Sequence, residues 1–111
     1  MERAGTVFFK NELAGRVWQD EDGYGFAYDK GYLEKKFPEP VSLTLPLREK
    51  PYLSNTMIPF FDGLIPEGWL LNITLKNWKL DIRDRMGLLL VACRDCVGAV
   101  HIEAIESNHD K

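Results

Sequence analysis

The stretch Ile58-Pro-Phe-Phe-Asp-Gly-Leu-Ile-Pro-Glu-Gly-Trp-Leu-Leu71 decides the fold, because it predicts a rigid apolar corner between two helices. The first helix is predicted to begin with Thr56 as its cap. Pro59 then falls in the first turn, where its missing N–H loses no hydrogen bond. Gly63 is expected to end that helix. Pro66 suits the first position of the second helix, so the chain turns sharply between the two prolines.

The second helix, from residue 66 to about residue 78, has two apolar faces. At about 100° per residue, one face forms a stripe within ~60°, which we assign to the core: Leu71, Leu75 and Trp78. Trp69 and Ile73 lie ~40° apart on roughly the opposite side. Trp69 is therefore either buried under the sheet or exposed for a partner, and tryptophan is strongly enriched at protein-binding hot spots.

Three apolar segments before residue 29 predict an antiparallel β-meander. They cover residues 5–10, 13–19 and 25–28, and their connections are too short for parallel crossovers. In the second segment, alternation predicts that one face carries Leu13, Gly15 and Val17. A last strand, residues 98–105, is expected to pair with this meander.

The middle of the chain is predicted to hold a short helix and an extended arm. The helix covers residues 29–37, with Asp29 as its cap and three inward side chains: Tyr32, Leu33 and Phe37. Apolar residues then alternate with polar ones over 41–47, which predicts a strand or extended arm with one buried face. Residues 49–55 are expected to form a loop. A further helix is predicted over 81–93, with Asp81 and Asp84 as capping residues.

Composition limits the class of protein. The chain has 111 residues, 45% hydrophobic and 28% charged, which predicts a single domain over 1–111 with an ordered core at about 4–105 and a frayed tail at 106–111. The predicted fold class is α+β, a small antiparallel β-sheet with three to four short helices packed on it. A net charge of −3 argues against direct nucleic-acid binding. We expect a cytoplasmic protein, since neither a membrane span nor a signal peptide is evident.

No catalytic motif emerges from the sequence. Cys93-Arg-Asp-Cys96 has C-x-x-C spacing, but a redox pair of this type opens a helix, whereas here a helix is predicted to end. A zinc site would need two more ligands, and His101 and His109 are the only histidines. Asp95 is predicted to satisfy backbone N–H groups at a turn. We therefore expect no enzymatic activity, no cofactor and no metal, and a redox or metal protein remains an alternative class.

Three segments in register resemble the N-terminal subdomain of the HipA family of serine/threonine-kinase toxins. Phe-Phe-Asp-Gly-Leu-Ile-Pro-Glu at 60–67 is similar to the family's Phe-Phe-x-x-Leu-Leu-Pro-(Glu/Asp). Pro-Val-Ser-Leu-Thr-Leu-Pro-Leu at 40–47 resembles its Pro-x-Ser-Leu-Ser-Leu-Pro-Leu. Residues 94–100 resemble its Gly-x-Asp-(Cys/Ser)-x-Gly-Ala-Val, although Cys93 stands where the family usually has glycine.

The resemblance implies a protein partner. In HipA-like toxins this subdomain packs on the kinase core, and three-component HipBST operons encode it separately as a small antitoxin, HipS. The implied function is an antitoxin that binds a HipT-like kinase at or near its active-site cleft, in a ternary complex with a HipB-like DNA-binding protein. The expected kinase-binding residues lie in the corner and in the second helix: Asp62, Ile65, Pro66, Glu67, Trp69 and Ile73.

Several alternatives stay open at this point. The chain could be the excised N-terminal subdomain of a full-length HipA-type kinase toxin, with a structural or regulatory role. It could also join a transcriptional regulator through a DNA-binding partner. Glu67 is either an interface residue or an acid that favours the start of a helix. An inserted Trp69 could block ATP or hold the phosphate-binding loop in an unproductive position.

Overall fold

The fold is α+β, as the sequence predicts. A computed structural model describes residues 3–65, 67, 83–93 and 99–105. Within these residues five strands form one antiparallel sheet in the order β4-β3-β2-β1-β5. The strands are β1 Arg3–Phe9, β2 Glu12–Asp20, β3 Gly23–Tyr28, β4 Tyr52–Ser54 and β5 Val100–Ile105. The helices among the described residues are α1 Lys30–Leu33, α2 Pro59–Asp62 and α3 Arg85–Ala92.

The predicted meander and its closing strand are confirmed. β1, β2 and β3 pair in sequence order, and β5 pairs with the free side of β1. Lys10 and Asn11 form the β1–β2 turn with φ angles of 52° and 67°, in the left-handed region that suits a tight hairpin. The last strand begins at Val100, two residues later than predicted.

A bulge breaks the predicted alternation of β2. Val7 faces Gly15 while Phe8 faces Leu13, so Ala14 is the extra residue on β2. The slip of one position turns Leu13 out of the core, leaving it 47% exposed, and buries Ala14 instead. The prediction that Leu13 shares a face with Gly15 and Val17 was therefore wrong, since the period of two holds only on one side of a bulge.

The first helix is shorter than predicted. Asp29 caps it as expected, because its carboxylate accepts a hydrogen bond from the Tyr32 amide at 3.3 Å. The helix ends at Leu33, one turn later, and Phe37 is 82% exposed rather than packed inward. The predicted burial of Phe37 was wrong, because the helix that would have turned it inward stops before it.

The segment from residue 38 to residue 51, here called the arm, is not the alternating strand that was predicted. Val41 and Leu45 are buried four residues apart, and between them Leu43 is 94% exposed. A turn causes this pattern, because the Leu45 amide bonds the Ser42 carbonyl at 3.0 Å. The strand lies further on, at β4 (Tyr52–Ser54), within residues predicted to be a loop.

The other two helices also begin later than predicted. Ile58, not Thr56, occupies the cap position of α2, and Pro59 opens the helix. Ile58 makes no side-chain capping bond, because its side chain has no hydrogen-bonding atom. α3 begins at Arg85 rather than at residue 81, capped by the Asp84 carboxylate, which accepts from the Gly87 amide at 3.2 Å. Asp81 lies outside the described residues.

The core lies on the inner face of the sheet, which we define as the face that carries Val7, Val17 and Phe26. Each of these residues is fully buried. The helices close it from the other side with a second set of fully buried side chains: Phe61, Met86, Leu88 and Leu89. None of the helices in the described part of the chain is long and apolar enough to cross a membrane. The layers therefore place the α2 corner directly over the sheet.

Candidate functional site

The described part of the corner is a tightly bonded run of turns. The Asp62 and Gly63 amides bond the carbonyls of Ile58 and Pro59 at 3.0 and 2.9 Å. Two shorter-range bonds continue the turn, from Leu64 to Phe61 and from Ile65 to Asp62. The second helix of the corner, predicted from residue 66 onwards, lies outside the described residues apart from Glu67. The corner thus reaches Ile65 with its backbone hydrogen-bonded at each step.

Aromatic packing anchors the corner to the sheet. Phe61 is fully buried and meets Phe26 of β3 with ring centroids 5.2 Å apart. Phe60 contacts Phe61 edge-on at 5.1 Å and remains half-buried. Burying a phenylalanine contributes about 1.5–3 kcal/mol, and edge-to-face aromatic pairs add to that. The two adjacent phenylalanines therefore fix α2 on the core, as the sequence predicts for an apolar corner.

α3 holds the corner at both of its own ends. At its first residue, Arg85 Nε donates to Asp62 Oδ1 at 2.6 Å, forming an ion pair between two half-buried side chains. Just past its last turn, the buried thiol of Cys93 donates to the Leu64 carbonyl at 3.3 Å. An α2 unit of only four residues gains its fixed direction from these contacts, because so short a helix is not stable alone.

The same chain pattern and fold occur in known proteins. The sequence profile of the HipA N-terminal domain matches residues 5–103, nearly the whole chain. The chain belongs to the HipA N-terminal domain family. The match lies entirely within that N-terminal domain, and no kinase catalytic domain is part of it.

Relatives place this domain in proteins of different length. The chain is 34% identical over 101 residues to an uncharacterized protein of Haemophilus influenzae, covering 91% of this chain and 92% of that one. It is 36% identical over 98 residues to the putative kinase Y4mE of Sinorhizobium fredii, but spans only 23% of its length. A solved N-terminal domain of HipA toxin superposes with a TM-score of 0.69 at 27% identity, covering 96% of this chain and 95% of that one.

The structure describes three of the six residues predicted to bind a kinase. Glu67 is exposed. Asp62 is half-buried and ion-paired with Arg85. Ile65 is only 2% exposed, so its side chain supports the corner from beneath. The other three (Pro66, Trp69 and Ile73) lie outside the described residues. The role of the whole set in binding stays a prediction.

Sequence reasoning missed the way in which the arm of this HipA N-terminal domain is held. Tyr28 donates its hydroxyl hydrogen to the Leu45 carbonyl and accepts from the Val41 amide at 3.0 Å. Burial raises the pKa of Tyr28 to about 12. Two more tyrosine hydroxyls donate to arm carbonyls: Tyr32 to Glu39 at 2.6 Å and Tyr52 to Pro46 at 2.5 Å. The available signal was that each strand or helix bordering the arm carries a tyrosine. Sequence alone does not show which main-chain atoms these tyrosines bond.

A second polar cluster fixes α3 to the start of the sheet. The guanidinium of Arg3 on β1 donates two hydrogen bonds to the Asp84 carboxylate, at 2.9 and 2.6 Å, and also donates to the side chain of Gln19. The hydrogen bond to Asp84 raises the pKa of Arg3. Because Asp84 also caps α3, one carboxylate joins the helix to the sheet. The cluster therefore ties the start of α3 to β1 and β2.

The alternative chemistries gain no supporting geometry. Cys93 is buried with its thiol on a backbone carbonyl, and Cys96 and Asp95 lie outside the described residues. Within the described ranges no three histidine, cysteine, aspartate or glutamate side chains gather as a metal site would require. The expectations of no metal and no cofactor remain predictions from the sequence.

Proposed function

We propose that this chain is an antitoxin that binds a HipA-like serine/threonine kinase and holds it inactive by direct contact at or near the active-site cleft. The observation that carries the proposal is the match of residues 5–103 to the HipA N-terminal domain. The same kind of domain aligns with under a quarter of a putative kinase and with nearly all of a short Haemophilus protein. Because this kind of domain occurs within a protein named as a putative kinase, we propose that its surface suits a kinase encoded as a separate chain.

The corner supports this proposal physically. α2 is fixed by buried Phe61 and by the Asp62–Arg85 ion pair, so the described part of the corner, up to Ile65, is held against the core. A pre-organised segment loses less conformational entropy on binding than a flexible one. We propose that Trp69 and Ile73 of the following segment, with Glu67 and Pro66 beside them, contact the kinase. In this proposal Trp69 enters the cleft, and a HipB-like DNA-binding protein completes a ternary complex.

The test is binding and inhibition measured together on a HipA-like kinase from the same genome. Biolayer interferometry would give the affinity, and phosphate incorporation would give the kinase activity. We expect wild type to bind and inhibit the kinase. If the indole is a hot spot, Trp69→Ala should lose about 2 kcal/mol or more of binding free energy, about thirtyfold in affinity, and inhibition should fall with it. Leu43→Ala is the matched control, because Leu43 is a large exposed apolar residue in another part of the fold.

Each outcome separates the candidate functions. If wild type fails to bind the kinase, the antitoxin proposal is wrong. If Trp69→Ala binds and inhibits as wild type does, the proposed role of Trp69 is wrong. The second candidate function is that of a structural subdomain of a HipA-type kinase. It is supported if the chain instead restores activity to such a kinase lacking its own N-terminal subdomain.

A further inference from the structure

The outer face of the sheet, opposite the core, is uncovered by any described helix. The helices contact the inner face: Leu90 of α3 lies against Gly5, and Phe61 of α2 against Phe26. Tyr32 of α1 stacks on Tyr28, which is also an inner-face residue. The residues between these positions on each strand point the other way. Their arrangement can be followed strand by strand from the pairing register.

One apolar row crosses all five strands on the outer face. Direct partners in the register place these residues side by side: Ile105, Ala4, Trp18, Gly25 and Leu53. The Trp18 ring packs closely on the Gly25 backbone, so that a Cβ at Gly25 would come within 2.3 Å of the ring. Ile105 is 42% exposed at the β5 end of the row. Leu53 is 75% exposed at the β4 end, while Ala4 and Trp18 are half-buried and Gly25 is buried, so the exposed apolar surface lies at the two ends of the row.

The next row carries opposite charges on either side of β1. Thr6 on β1 is flanked by Glu103 on β5 and by Arg16 on β2. Both charged residues are exposed. The Arg16 guanidinium also sits over the Trp18 ring at 5.0 Å. Across β5, β1 and β2, one row therefore carries an acidic, a neutral and a basic residue, and the other carries Ile, Ala and Trp.

We propose that the outer face binds the outer face of a second copy of this chain, around a two-fold axis parallel to β1. That axis exchanges the β5 and β2 positions, so Arg16 of one copy meets Glu103 of the other, and the pair occurs twice. It also places Trp18 against Ile105 and Ala4 against Ala4. Two-fold contacts require this kind of self-complementarity. An axis perpendicular to the strands through the charged row would instead set Arg16 against Arg16.

The dimer is weak because the shared area is small. Three overlapping strands of about six residues cover roughly 10 by 20 Å in projection, about 200 Å² on each copy, which is well below the ~1,000 Å² in total of a stable interface and fits only a transient dimer. Face-to-face sheets sit about 10 Å apart, a gap that arginine and glutamate side chains can span together. We expect dissociation at about 0.1–1 mM, with a clear dependence on salt because two ion pairs are formed.

The test is sedimentation equilibrium of the full chain from about 20 µM to 1 mM in low salt. We expect wild type to dimerise and Arg16→Glu to raise the dissociation constant at least about tenfold, since two attractive pairs become repulsive. The double variant Arg16→Glu with Glu103→Arg restores both pairs and should recover wild-type association within about threefold. Lys50→Glu is the matched control, as it makes the same change in net charge at an exposed position on the arm.

The outcomes distinguish a specific dimer from non-specific association and from a surface that binds the kinase. Dimerisation with rescue by the double variant supports the proposal. A monomer at 1 mM, a double variant no better than Arg16→Glu, or an equal effect of Lys50→Glu would overturn it. If the chain stays monomeric but Arg16→Glu weakens kinase binding, the face belongs to the kinase instead. Should Arg16→Glu fail to fold, wild-type association that does not weaken between 50 and 500 mM salt would also overturn it.

Discussion

Replacing Tyr28 with phenylalanine should detach the arm from the sheet without disturbing the aromatic core. The ring contacts remain possible in the variant, edge-on to Phe26 at 4.9 Å and stacked on Tyr32 at 6.1 Å. Only the hydroxyl is lost, and with it both bonds to the arm, from the Val41 amide and to the Leu45 carbonyl. The variant therefore tests the hydroxyl alone.

The expected loss follows from the burial of the two arm residues. Val41 and Leu45 are both buried, so their main-chain groups lose a partner where water is scarce. A buried unsatisfied polar group costs about 1–3 kcal/mol, and partial relaxation of the turn recovers some of it. We expect Tyr28→Phe to lower the free energy of unfolding by about 2–4 kcal/mol.

Repeating the measurement at alkaline pH isolates the effect of the Tyr28 hydroxyl further. The pKa of Tyr28 is about 12 in the folded protein and about 10 when unfolded, so the folded state holds this proton more tightly. Its contribution to stability is complete below pH 10 and is lost as the pH rises from 10 to 12. Two pKa units set an upper bound of about 2.7 kcal/mol, since water screening reduces it. Tyr28→Phe should lack this share of the alkaline loss.

Urea denaturation followed by far-ultraviolet circular dichroism gives both free energies. Tyr24→Phe is the matched control, because the Tyr24 hydroxyl accepts only from the Gln19 side chain among its described contacts, at 3.2 Å, and bonds no arm residue there. We expect the control to lose less than about 1 kcal/mol. If the two variants lost the same stability, or if Tyr28→Phe kept the full alkaline dependence, the assignment of the arm to the Tyr28 hydroxyl would be refuted.

Two further predictions concern the contacts of α3. Gly87→Ala would normally favour a helix by about 1 kcal/mol. Here the new Cβ would lie 2.3 Å from the Asp84 carboxylate, so we expect a loss of about 1–3 kcal/mol in thermal unfolding, and a stabilised variant would contradict the packing. For the ion pair at the corner, a double-mutant cycle of Asp62→Asn and Arg85→Gln should give a coupling energy of about 0.5–1 kcal/mol in urea unfolding, and strict additivity would argue against the pair.

Much of the fold was predictable because local signals and the sheet agree. Short polar turns between apolar segments indicated the meander, and Asp29 at a helix start indicated its cap, and both were confirmed. Paired prolines and phenylalanines indicated the corner, and α2 with buried Phe61 is its first half. Each of these features depends on residues within a few positions of one another.

The errors arose where distant contacts decide local structure. The bulge at Ala14 shifts Leu13 outward, and no residue near it signals the extra position. Apolar and polar residues alternate in the arm as in a strand, but its conformation is set by hydrogen bonds to tyrosine hydroxyls, and Leu43 is exposed. At the candidate site, the sequence led to the prediction that Asp62 contacts a kinase, but it did not reveal the pairing of Asp62 with Arg85, 23 residues away. Side-chain partners so far apart cannot be read from spacing.

The tyrosine hydroxyls that hold the arm all bond main-chain atoms, through the Val41 amide and the carbonyls of Glu39, Leu45 and Pro46. Main-chain atoms are common to nearly every amino acid, so these hydrogen bonds do not depend on which side chains occupy the exposed positions of the arm. Substitutions at Leu43 can therefore accumulate in evolution while the loop keeps its shape. The same property makes this turn a graft site at which a recognition sequence could be installed without redesigning the domain.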